Sequence, residues 1–116
     1  MQQGKILHIG NQAIDQTENM LLFFGEKATA GLAPYSVIQK IAEPEKINLK
    51  VGDKIVFGQQ EYQITYLGHL VNENLQTIQH ASFVFADAPQ DKLASSVYLS
   101  PAVLPKLSPG MTIIYG

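Results

Sequence analysis

The chain is expected to fold as an all-β protein, a small closed or nearly closed barrel of seven to eight short strands with one short helix. Three observations predict this. Short runs of apolar, aromatic and β-branched residues recur along the chain, each bounded by Gly, Pro, Asn or Asp. Only one stretch, Asn72–His80, carries helical signals, with Leu75 and Ile78 three apart. No strand–helix–strand spacing appears, which argues against a parallel α/β sheet.

The stretch from Val51 to Phe85 organises the rest. Val51-Gly52-Asp53 is a turn leading to the run Ile55-Val56-Phe57, and Gly58-Gln59-Gln60 connects this to Glu61–Leu67. That second run alternates, with Tyr62, Ile64 and Tyr66 on one face and Gln63 and Thr65 on the other, so the pair reads as a hairpin. Asn72 is placed to cap the helix, and Glu73 sits in a first turn where the helix dipole favours negative charge. A returning strand, Ser82–Phe85, ends at Asp87, Ala88 and Pro89.

The remaining elements follow in order. Lys5–Ile9 is a first strand closed by Gly10-Asn11, and Asn11–Asn19 is polar and rich in turns. Met20–Phe24 is apolar throughout, as expected of a strand buried on both faces or bridging two copies. Gly25-Glu26-Lys27 turns the chain, Pro34 keeps residues 28–34 from forming a helix, and Tyr35–Ile41 is a strand. After the Glu43–Lys46 loop, Ile47 and Leu49 lead into the organising stretch. Gln90–Ala94 is short and helical or irregular, Ser95–Leu99 is a strand, and Ser108-Pro109-Gly110 turns into a last strand, Met111–Tyr115.

At 116 residues the chain is expected to be a single domain, residues 1–116, large enough to bury a core. Its formal net charge is −2 and its eight basic residues are all lysines, scattered along the chain. This argues against nucleic acid, which needs clustered cations, and the lack of arginine removes the fork that clamps phosphate. With no cysteine there are no disulfides, thiolate metal sites or thiol nucleophiles. No secretion signal is read at the N-terminus, and the longest apolar run is too short to span a bilayer, so a cytoplasmic protein without membrane insertion is expected. The charged share, 16%, is low, which suits a surface covered by a partner or by a second copy in a homodimer.

Chemistry rests on three histidines, His8, His69 and His80. None stands at metal-ligand spacing, so no metal site and no cofactor are expected. His69 reads as an exposed loop residue and His8 as a packed or edge residue. His80 falls at the end of the predicted helix, where the dipole favours an imidazolium. Two readings stay open for it: a side chain that bonds the last helix carbonyls, and a nucleophile or phosphate carrier.

Taken together, Val51-Gly52-Asp53, Phe57-Gly58-Gln59, Tyr62–Gly68, Glu73-Asn74-Leu75, His80 and Phe83-Val84-Phe85 resemble the IIA component of the glucitol/sorbitol-type sugar phosphotransferase system. Met20–Phe24 with Tyr35, and the ending Ser108-Pro109-Gly110-Met111, extend the resemblance over nearly the whole chain. It implies a phosphotransferase component, a cytoplasmic phosphocarrier. Such a carrier accepts a phosphoryl group from a histidine of HPr and passes it to the IIB part of a IIB/IIC sugar permease. It also implies a departure. The family's phosphohistidine lies a few residues after the tyrosine matched by Tyr35, and that position holds Gln39, a carboxamide that cannot form a phosphoramidate. Gln39 and Lys40, in this run, are assigned to partner binding. His80, which falls on a family-matched histidine, is the candidate carrier; the alternative is a non-phosphorylatable regulatory or binding paralogue.

Overall fold

In the computed structural model, residues 1–87 and 93–116 are described. Eight strands among them close into a barrel: β1 Gln2–Ile9, β2 Met20–Phe24, β3 Ser36–Ile41, β4 Lys54–Phe57, β5 Gln60–Leu67, β6 Ala81–Val84, β7 Ser96–Ser100 and β8 Thr112–Tyr115. The order around the barrel is β1-β3-β2-β6-β7-β5-β4-β8. One α-helix, α1 Val71–Ile78, joins β5 to β6. The expected all-β barrel with a single helix is therefore observed. Two of its pairings, β2 with β3 and β6 with β7, are parallel. Parallel neighbours need long connections, and between β2 and β3 residues 25–35 supply one without an α-helix.

Alternation along the strands fills the interior. Leu21 and Phe23 of β2, Ile55 and Phe57 of β4, and Tyr62 and Ile64 of β5 point inward, as do Ile113 and Tyr115 of β8. Phe23, Phe57, Phe83, Phe85 and Tyr62 meet edge-on or tilted, with ring centroids between 5.0 Å and 6.1 Å apart. Such tilted contacts place the positive ring edge near a neighbour's negative face. Two bulges interrupt the alternation. Between Ile6 and His8 the register with β3 slips, so Leu7 and His8 both face outward; strict alternation would not allow that. A second slip lies between Ile64 and Tyr66.

The apolar run of β2 is explained without a second copy. Leu21 and Phe23 are buried, Met20 is exposed, and Leu22 and Phe24 are half-covered on the outer face. Both edges of β2 are hydrogen-bonded within the chain, to β3 and β6, so no edge is left for pairing with another copy.

Helix α1 departs from its expected detail in two ways. Its N-cap is Leu70, with no side-chain cap, and Asn72 lies inside the first turn. The Asn72 carboxamide instead grips both backbone groups of Leu49, accepting from the N–H at 2.7 Å and donating to the carbonyl at 3.0 Å. The buried pair is Val71 and Leu75, four apart, while Ile78 is 51% exposed. Gly68 lets the chain enter the helix, since a β-carbon there would stand 2.2 Å from the Ala94 carbonyl oxygen. The turn expected at Asp87–Pro89 and the piece at Gln90–Ala94 fall largely outside the described residues.

Candidate functional site

The corner between α1 and β6 brings the candidate residues together. The helix ends at Ile78, and Gln79 then adopts a left-handed conformation with φ 54° and ψ 36°. It is the one non-glycine with positive φ among the described residues. For a residue with a β-carbon this costs roughly 1–2 kcal/mol, so the corner must be held by contacts from elsewhere.

Those contacts come from three directions. The Ile78 carbonyl accepts from Gly25 N–H at 3.1 Å, and His80 N–H donates to the Asn74 carbonyl at 3.2 Å. Gly25 permits this approach, because a β-carbon there would press against Ile78 and Gln79 at 3.1–3.2 Å. The Gln79 side chain accepts the N–H of Ile41 on β3 at 2.6 Å. The Gln79 carbonyl accepts from Gln39 Nε2 at 2.9 Å.

Gln39 is completely buried. Its Oε1 accepts a short hydrogen bond from the Tyr115 hydroxyl inside the barrel. Burial pushes the Tyr115 phenol far above its ordinary value, only partly offset by the bond to Gln39, so it remains a neutral donor. Both ends of the Gln39 amide are therefore occupied by the protein itself. The partner contact expected of Gln39 is not open to it, because no part of its side chain reaches the surface. Its neighbour Lys40 does face outward, with its ammonium 3.9 Å from Glu26.

His80 follows Gln79 directly. Its ring stacks on Phe24, with centroids 4.1 Å apart and planes 17° from parallel. Its Nδ1 lies 3.0 Å from the Phe23 carbonyl oxygen. A carbonyl can only accept, so Nδ1 carries the proton, and in the neutral form of the ring the lone pair is on Nε2. The side chain thus bonds a strand of the barrel, where the first reading from sequence had it bonding the last helix carbonyls. The residue is half-buried. Nε2 has no protein partner, and no buried side-chain nitrogen or oxygen lacks one among the described residues, so Nε2 opens to solvent. Beside the corner runs a shallow groove lined by Phe24, Leu32, Ile78, Gln79, Glu26 and Lys27, among others.

The other histidines are elsewhere and exposed, His8 on the outer face of β1 and His69 before the helix. Among the described residues no group of His, Asp or Glu is arranged to hold a metal ion. Three contributors were not singled out from sequence: Gln79, Tyr115 and Phe24. Nothing in the local sequence marks Gln79 as left-handed, since glycine or asparagine is the usual signal.

Comparison with known proteins agrees with this architecture. A solved structure of the phosphotransferase system IIA component from Enterococcus faecalis V583 superposes with a TM-score of 0.94 at 42% identity, covering 97% of this chain and 98% of that one. The glucitol/sorbitol-specific EIIA component of Escherichia coli K12 is 30% identical over 112 residues, 96% of this chain and 90% of that protein. The corresponding component of Shigella flexneri is 29% identical over the same length. The family model for the glucitol/sorbitol-specific IIA component matches residues 1–114, and the chain therefore belongs to that family of the phosphotransferase system.

Proposed function

We propose that this protein is a cytoplasmic phosphocarrier in which His80 takes a phosphoryl group from HPr and hands it to the IIB part of a glucitol/sorbitol permease. The observation that carries the reading is the Nδ1–Phe23 hydrogen bond, which places the lone pair of the neutral ring on Nε2, the nitrogen with no protein partner. The Nε2 lone pair attacks phosphorus on the donor's phosphohistidine. The new N–P bond forms as the donor's N–P bond breaks, and the electron pair of that bond stays on the donor nitrogen. The Nδ1 proton does not move. Positive charge gathers on the His80 ring as the bond forms, and the Phe23 carbonyl dipole faces it. The second transfer, to the permease, runs the same exchange in the forward direction with His80 as donor.

The groove supplies the apolar surface that docking requires, with Glu26 and Lys27 as its charged lining and Lys40 3.9 Å from Glu26. Family membership and the availability of His80 both favour transfer over a paralogue that has lost it. The test is phosphoryl labelling by phosphoenolpyruvate, the general enzyme of the system and HPr. The label is expected on His80, acid-labile, and absent in His80→Ala. A wild-type chain that binds phospho-HPr without taking label contradicts the reading.

A further inference from the structure

We infer that Gln39 is a positioning residue for His80, acting through the Gln79 peptide; this rests on His80 being the carrier. A fully buried position inside a barrel is ordinarily apolar, because a carboxamide there must have both ends satisfied. Gln39 satisfies them in one orientation. The Gln79 carbonyl can only accept, so Nε2 must face it, and Oε1 is left for the Tyr115 hydroxyl. Turning the amide over would set two oxygens against each other.

The consequence is a two-point hold on the corner. Gln39 takes the Gln79 carbonyl, and two residues along the same strand Ile41 N–H takes the Gln79 side chain. The strand that makes this hold, β3, is hydrogen-bonded to β2, with Val37 opposite Phe23 and Ile38 opposite Phe24. Phe23 and Phe24 are the residues that bond and stack on the His80 ring. Backbone before the ring and contacts on the ring are therefore fixed to two neighbouring strands of one sheet. Gln39 joins them. Released from it, the left-handed residue has less to hold it, and the ring can swing off the Phe23 carbonyl. The Nδ1–H tautomer then loses its advantage.

The test uses the full-length protein with 15N-labelled histidine. Two-bond proton–nitrogen correlations report the His80 tautomer, and single-turnover transfer from phospho-HPr reports the rate. Wild type is expected to hold the Nδ1–H form. Gln39→Met, similar in length but without hydrogen bonds, is expected to mix the two tautomers. Its transfer rate at saturating donor falls roughly 10- to 100-fold, while the half-saturating donor concentration stays within about twofold. Gln39→His, whose neutral ring offers one donor and one acceptor, is expected to restore the His80 tautomer. Should Gln39→Met fail to fold, Tyr115→Phe carries the same measurements with a smaller shift in the same direction. A labelled wild type together with a Gln39→Met that keeps both tautomer and rate overturns this inference alone. A wild type that takes no label at His80 overturns the carrier reading, and this inference with it.

Discussion

The barrel is filled in two different ways. Around Phe57 the interior is aromatic, with Phe23, Phe83, Phe85 and Tyr62 in tilted contact and no buried polar side chain among them except the Tyr62 hydroxyl, which donates to the Val103 carbonyl. Around Gln39 the interior is polar and directional, with the Tyr115 hydroxyl, the Gln39 amide and the Gln79 peptide in series. Burial of rings is strong but tolerant of geometry, since many contacts share the load. A buried hydrogen-bond series is weaker in total and strict about orientation. The His80 ring bonds the Phe23 carbonyl and stacks on Phe24, while its backbone follows the Gln79 peptide of the second kind of interior. The two ends adjoin through Phe83 and Tyr115, whose ring centroids are 6.3 Å apart, so one small core holds both kinds of packing.

Substitutions that separate the two ends sharpen this comparison. The largest expected effect on stability is in the aromatic end: Phe57→Ala should cost about 3–5 kcal/mol. Urea titration followed by circular dichroism measures it, and the fraction that remains folded should still take label at the wild-type rate. A large loss of rate in that folded fraction would mean the ends are not separate.

Next comes Asn72→Ala, which strands both backbone groups of Leu49 beside the helix and should cost about 1–3 kcal/mol without altering the His80 tautomer. The same titration and the same histidine spectra check it.

Tyr115 gives a pH signature. An unfolded chain releases the phenol proton near the ordinary value of 10.0, whereas the folded chain keeps it well above that. The stabilising contribution is complete below pH 10 and is lost as the pH rises further. Wild type should therefore weaken by about 1.4 kcal/mol per pH unit in that range from this group. Tyr62, whose pKa burial also raises, acts in the same direction. Tyr115→Phe should show a shallower alkaline slope. An unchanged slope would contradict the burial of this hydroxyl. The smallest effect is expected at the exposed Lys46–Glu43 pair, where Lys46→Ala should leave both midpoint and transfer unchanged.

Much of the barrel was legible because its signals are local. Each run of alternating or apolar residues between turn residues became a strand, and the lone segment with helical spacing became the helix. The family resemblance, too, followed from residues that recur in order along the chain. What could not be read locally was decided by tertiary contact. Asn72 carries the residue type of a cap, yet Leu49 lies close enough to take its amide instead. The run Met20–Phe24 looked able to bridge copies, but closure of the barrel supplies β2 with neighbours on both sides. By sequence Gln39 is assigned to partner binding, at the position of the family's phosphohistidine; only the fold shows it facing inward toward Tyr115, 76 residues away. The Nδ1 partner of His80 is a backbone carbonyl 57 residues away, and no side-chain pattern announces a carbonyl.

In the proposed carrier, Nε2 of His80 holds the phosphoryl group while Nδ1 stays bonded to the Phe23 carbonyl. Phosphorus–nitrogen correlation by NMR on chain labelled with 15N-histidine and phosphorylated through HPr tests it most directly. One phosphorus coupled to Nε2 of His80 is expected. Phosphorus on Nδ1, or on His8 or His69, would contradict it.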